Sequence, residues 1–265
     1  MGTCIKSAIN LGKYPVNDLD SKEGKDLVKH CQKNLEEGGA VVLENFIDED
    51  SINDIIKNLK QKFDEIYYCK NNHNTYLIED DDKYPKDHPR NRELVSKKGL
   101  LAYDQIPKEN LLHLLYEWEP FKKFVSQVTG VENIYPYIDS LSPININVNE
   151  DGQGLNWHYD NCDFSITLML QPAKKGGTFE YVPWLRSKEN ENYDELDKTL
   201  KGENKKVQVL NQSAGTLAFF RGRYSVHRVT PTIGKEPRLI TVLAYSTEPN
   251  KTITKHTRNI FYGRE

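Results

Sequence analysis

The chain has 265 residues with 36 basic and 39 acidic side chains, a net charge of -3. It lacks the basic excess of nucleic-acid-binding domains, which argues against a general polyanion binder. That length supports one sizeable core and demands no second domain, so residues 1–265 read as a single unit. Cys4, Cys31, Cys69 and Cys162 are irregularly spaced without a CxxC pair, which favours reduced thiols over a disulfide framework or a structural zinc.

The opening MGTCIKSAINLGKY has no apolar stretch of signal-peptide type, and no run approaches the roughly 18 apolar residues of a membrane span. A cytoplasmic location is therefore expected, with no membrane partner. Met1-Gly2 lacks the Ser/Thr that usually accompanies myristoylation, so lipidation is not expected.

Residues 21–37 have helix-forming composition with Leu27, Cys31 and Leu35 on one face, ended by Gly38-Gly39. GAVVLENFI over 39–47 reads as a strand. An amphipathic helix is expected over 48–68, with Ile52, Ile55, Ile56, Leu59 and Phe63 on its apolar side. Residues 70–110 are polar and proline-bearing and read as a long loop, of the kind that is either functional or disordered. Within it HPRNR holds Arg90 and Arg92 beside Pro89. A guanidinium is a planar fork suited to a carboxylate, although two solvated surface arginines are an equal reading.

LLHLLYEWEPFKKFVSQVTG over 111–130 reads as one helix, with His113 and Trp118 as packing residues. Strands follow. In the first, Ile144, Ile146 and Val148 alternate with Asn145, Asn147 and Asn149, an asparagine face that either lines a polar cavity or is simply wet. Asn147 is taken as a candidate cofactor contact on this face. From 158 to 170 the even positions read His, Asp, Cys, Phe, Ile, Leu, Leu, which suits a half-buried strand with a polar end. A Gly176-Gly177 turn, a charged insert over 187–206 and the runs AGTLAFF, VHRVTP and RLITVLAY complete the pattern. Helices first and then many short strands read as α+β, with the strands folded into a jelly-roll barrel.

The chemistry centres on NWHYDNCD. His158 and Asp160 are two apart, and on an extended chain such side chains leave one face. With seven histidines and 39 acidic residues, roughly one His-x-acid triplet arises by chance, so context carries the case. His227 follows a strand pattern, and Arg238 opens another. Two imidazoles and one carboxylate form the 2-His-1-carboxylate set of non-heme Fe(II) oxygenases, which zinc or manganese also suits. Arg238 is placed to hold a carboxylate co-substrate, or else pairs with Glu236.

WHYD, GGTFEYVP, GTLAFFRGR, HRVTP, RLITVLAY and the terminal YGR together resemble the Fe(II)/2-oxoglutarate-dependent oxygenase superfamily. HPRNR, YDQIP and YEW further resemble the group of carrier-independent amino-acid halogenases and their hydroxylase relatives. The resemblance covers roughly residues 85–264. It implies a double-stranded β-helix core, Fe(II) on His158, Asp160 and His227, and 2-oxoglutarate and O2 as co-substrates, with Arg238 on the distal carboxylate. It also implies a substrate carboxylate on an arginine of HPRNR, Arg92 before Arg90, and a substrate pocket near Asn161 and Tyr262. Halogenases of this group have a small residue where Asp160 stands, so the retained carboxylate implies a hydroxylase. The expected substrate is a free amino acid or close derivative. Alternatives are an oxygenase of the same fold acting on protein or nucleic acid, and a non-enzymatic cupin-like binding protein.

Overall fold

Ser21 starts the first long helix by accepting a hydrogen bond from the Gly24 amide, and Gly39 ends it in the left-handed conformation at φ 71°. The computed structural model describes residues 5–264; the readings placed on Cys4 and on the Met1-Gly2 opening lie outside them. A helical turn α1 (Ile5–Ala8) precedes this helix, α2 (Lys22–Gly38), and β1 (Ala40–Leu43) follows it. Asp48 caps α3 (Glu49–Lys60), which buries Ile52, Ile55, Ile56 and Leu59.

The helix expected over 48–68 stops at Lys60. Phe63 falls in a 3-10 turn, and the chain then enters β2 (Tyr67–His73), paired antiparallel with β3 (Leu94–Leu101). Part of the expected polar loop is therefore strand. Its pattern is hidden because β2 alternates half-buried with exposed positions and carries Lys, Asn and His instead of an apolar face. The single helix expected over 111–130 is two, α4 (Leu111–Glu117) and α5 (Glu119–Thr129), parted at Trp118. Pro120 has no amide hydrogen and is tolerated only in a first turn, so the second helix must begin there.

The remaining strands are β4 (Tyr135–Pro136), β5 (Ile144–Asn149), β6 (Leu155–His158), β7 (Ser165–Gln171) and β8 (Phe179–Val182). After α6 (Tyr193–Leu200) come β9 (Gln208–Leu210), β10 (Leu217–Phe220), β11 (Val226–Val229), β12 (Arg238–Leu243), β13 (Tyr245–Ser246) and α7 (Lys255–Tyr262). They form a seven-stranded sheet in the order β1-β10-β7-β12-β5-β3-β2, a four-stranded sheet β6-β11-β8-β9, and the pair β13-β4.

One face of the large sheet presents Ile144, Ile146, Val148, Ile166, Leu168, Phe219 and Leu239 to the helices, where Leu35, Ile55, Leu112, Phe121 and Phe124 complete the main core. The other face carries Asn145, Asn147 and Asn149, directly opposite Val242, Ile240 and Arg238. This polar face shares a cavity with the small sheet, since Arg238 and Met169 line it together with Phe179 and Leu210. The fold is the α+β jelly roll expected. Among the described residues no helix is long and apolar enough to cross a membrane.

The stretch 158–170 is not one strand. β6 ends at His158 in the small sheet and β7 begins at Ser165 in the large one. Residues 159–164 cross between them, anchored by buried Tyr159 and Phe164. Ile166, Leu168 and Leu170 face the main core, so the continuous alternation joins two strands of different sheets.

Candidate active site

His158 and His227 stand directly opposite each other across the β6–β11 ladder, with ring centroids 4.2 Å apart. Each Nδ1 meets a backbone carbonyl two residues earlier, Asn156 at 2.8 Å and Ser225 at 3.0 Å. A carbonyl only accepts, so each Nδ1 carries the hydrogen and each Nε2 presents its lone pair. Both Nε2 atoms face Asp160 Oδ1, at 3.9 Å from His158 and 3.5 Å from His227. One ligand atom from each of the three lies within 4.8 Å of the others. Metal–ligand bonds of about 2.0–2.2 Å put neighbouring donors roughly 3 Å apart, so the set fits one divalent ion after a small contraction.

Asp160 is positioned by its backbone and by a hydroxyl. Its amide donates to the Gly222 carbonyl at 3.1 Å, and Ser165 Oγ donates to Oδ2. A Cβ on Gly222 would stand 1.9 Å from Asp160 Oδ2, so glycine there leaves the carboxylate its place. Burial pushes the Asp160 carboxyl up, but His227, His158 and the Ser165 hydroxyl outweigh it and hold it well below the usual carboxylate range. Burial, and then the neighbouring His227, push His158 well down. Near neutral pH this pair therefore offers a carboxylate and a neutral imidazole, the protonation states a metal requires.

Arg238 begins β12, is 2 % exposed, and has a buried Nε without a hydrogen-bond partner. Glu236 does not reach it, being paired with Lys174 at 2.7 Å. Burial lowers the guanidinium pKa to about 10, which still leaves it charged. Beside it lies a cavity of about 180 Å³ lined by Met169, Gly176, Gly177, Thr178, Phe179 and Gln212 among others. Gly177 adopts φ 60°, and a Cβ there would stand 3.1 Å from Arg238 Cδ, so the Gly-Gly turn keeps this side open. Among the described residues no carboxylate pairs with this buried cation, and a cation facing a cavity suits the carboxylate of 2-oxoglutarate.

The other candidates separate. Asn147 shares a face with Arg238 but lies opposite Ile240, and its Oδ1 accepts from Lys98 Nζ at 2.9 Å. Arg92 pairs with Asp197 of α6 at 2.6 Å and donates to the Asp87 carbonyl of its own loop. Arg92, the favoured arginine, thus has an ion-pair partner on α6. Arg90 is buried against the Tyr76 ring at 4.7 Å and donates to the Glu79 carbonyl. Asn161 is exposed in the crossing segment, where its carbonyl accepts from Arg223. Tyr262 is buried, with its hydroxyl donating to Asn145 Oδ1 at 2.8 Å. Three arginines near His227 have partners: Arg221 the Thr129 carbonyl, Arg223 Asp163, and Arg228 Glu180.

Sequence reasoning missed Ser165, Gly222 and Lys98. Ser165 follows the first ligands by a few residues and gave no signal of its own. Gly222 lies in the FRGR turn just before His227 and could have been marked as a close approach of backbone to the site. Lys98 was hidden by the reading of its strand as loop.

Among solved structures the fold is shared with an oxidoreductase of the 2OG-Fe(II) oxygenase family from Burkholderia pseudomallei, at 14% identity and a TM-score of 0.53 over 83% of this chain and 91% of that one. The α-ketoglutarate-dependent epimerase SnoN from nogalamycin biosynthesis aligns with a TM-score of 0.57 at 12% identity, covering 84% and 83%. A Pseudomonas putida prolyl-4-hydroxylase does so at 0.51 and 13%, covering 81% and 96%. No curated protein sequence matches. The fold is thus one seen in 2-oxoglutarate/Fe(II) oxygenases, and the model of the Halogenase D family matches residues 23–263, so the chain belongs to that family.

Proposed function

We propose that this oxygenase is a hydroxylase of an unactivated C–H bond in a small molecule, a free amino acid or close derivative. The observation that carries the reading is Asp160. In a family described as halogenases, this chain retains a carboxylate whose Oδ1 faces both histidines at 3.5 and 3.9 Å. Halogenases of the resembling group have a small residue there, which leaves a coordination place for halide. Here the Asp160 carboxylate would take that place.

His158, Asp160 and His227 would hold the iron, which with 2-oxoglutarate and O2 would supply the C–H oxidation. The chain's residues supply position. The Nδ1–carbonyl bonds fix each ring with Nε2 toward the metal. Arg238 anchors the distal carboxylate of the co-substrate. The C-terminal helix closes one side of the polar face through Tyr262, whose neighbours Leu100, Ala102, Leu141 and Phe261 form an apolar wall that limits water.

The test is succinate release from 2-oxoglutarate with Fe(II) and O2, screened over the free amino acids with chloride present. The expected product gains one oxygen atom. Efficient chlorination by the unmodified chain would sink the hydroxylase reading. His158→Ala, Asp160→Ala and His227→Ala should each abolish turnover while leaving the circular dichroism spectrum near wild type, and full activity in any one would remove that residue from the set.

A further inference from the structure

Lys98 lies on the polar face of the large sheet. The β2–β3 register puts it opposite Cys69, and on the next strand pair Leu100 is opposite Asn147, so Lys98 is a diagonal neighbour of Asn147. Its Nζ donates to Asn147 Oδ1 at 2.9 Å and stands 5.1 Å from the centre of the Phe261 ring. An amide oxygen and an aromatic face orient a cation without neutralising it. An ammonium has three N–H donors, and the Asn147 bond uses one of them. Among the described residues it forms no ion pair with a carboxylate. Burial depresses its pKa, and its strand runs beside the one that carries His158: Lys97 bridges Gly154, and the Asn156 amide donates to Ser96 Oγ at 2.9 Å.

Lys98 is half-buried, and a cation partly removed from water without an anion is stabilised when a ligand brings the anion. Three carboxylates would come to this polar face, two from the co-substrate and one from an amino-acid substrate. The co-substrate's distal carboxylate has Arg238, on the same face at β12, and its other carboxylate belongs to the metal. Arg92 is tied to Asp197. We propose that Lys98, oriented by Asn147 and Phe261, anchors the carboxylate of the small-molecule substrate beside the metal triad. This rests on the oxygenase reading of the site.

The test uses the full chain loaded with Zn(II) and 2-oxoglutarate, which do not react, and titrates free α-amino acids against their α-carboxamides by calorimetry. In the wild type, an amino acid that binds should do so at least about tenfold more tightly than its carboxamide. Lys98→Met should bring acid and amide to similar affinity while the dissociation constant of 2-oxoglutarate stays unchanged, which also reports an intact fold. Lys98→Arg, which keeps the charge, should keep the preference. Retained preference in Lys98→Met overturns the assignment, as does an absence of any preference in the wild type, a reading that needs no variant to fold. Loss of 2-oxoglutarate binding in a folded Lys98→Met would give Lys98 to the co-substrate instead. Failure of 2-oxoglutarate to bind the wild-type Zn(II) protein strikes the oxygenase reading itself and is read separately.

Discussion

At Gly222 a single hydrogen atom decides whether Asp160 can face the histidines. A methyl group there would overlap Asp160 Oδ2, Cγ and Cβ at 1.9, 2.5 and 2.9 Å. These atoms belong to a side chain that can swing, so the clash would be relieved by displacing the carboxylate instead of unfolding the barrel. Gly222→Ala is therefore expected to weaken Zn(II) or Mn(II) binding at least about tenfold, the equivalent of about 1.4 kcal/mol, with little change in melting temperature of the metal-free protein. Wild-type affinity in the variant would show that the loop yields. The residues that the structure brings together, His158, Asp160 and His227, and the buried Arg238 were visible in the sequence because each sits beside an apolar run. Their supports were not. The Ser165 hydroxyl, the Gly222 gap and the Lys98–Asn147 contact depend on strand register and on how the crossing segment lies, and no local pattern encodes those.

The C-terminal motif YGR gains a physical account as the end of α7. Tyr262 reaches Asn145 on β5; Gly263, at φ 66°, lies so close to the Tyr67 ring that a Cβ would stand 2.2 Å from it; Arg264 forks onto Asp104 with bonds of 2.8 and 2.5 Å. Three consecutive residues thus pin the helix to the polar face of the sheet and to the turn beyond β3. The exposed arginine fork adds little, since surface pairs contribute about 0–1 kcal/mol. The buried tyrosine matters more. Tyr262→Phe leaves Asn145 Oδ1 without its donor, at a cost of about 1–3 kcal/mol. Proteolysis of the C-terminal segment should accelerate accordingly while metal binding is retained; unchanged proteolysis would mean that water replaces the hydroxyl. The helix itself was not anticipated. Its anchors are long-range, and a short segment with few apolar residues has no periodicity strong enough to announce it. The same limit explains β2 and β3: strands that line a polar cavity lose the alternation by which strands are recognised.

For the whole molecule, the site is distributed over parts that would otherwise touch only by packing. His158 and His227 belong to the four-stranded sheet, Asp160 to the segment that crosses between sheets, and Arg238 to the seven-stranded sheet. On the proposed reading a metal ion would fasten the crossing segment to the small sheet, and 2-oxoglutarate reaching from the metal to Arg238 would fasten the small sheet to the large one. A ligand bound only by the folded state at about a hundredfold over its dissociation constant stabilises by roughly 2.7 kcal/mol, and at this chain length each kcal/mol shifts the melting temperature by roughly 2–4 °C. Zn(II) alone should raise the melting temperature by several degrees. Without metal, 2-oxoglutarate should do little, because half of its site is the ion. With both, the rise should exceed the sum of the separate effects. Arg238→Ala should keep the Zn(II) increment and lose the one from 2-oxoglutarate. Equal stabilisation by 2-oxoglutarate with and without metal, or a full co-substrate increment in Arg238→Ala, would show that the two sheets are not joined through this site.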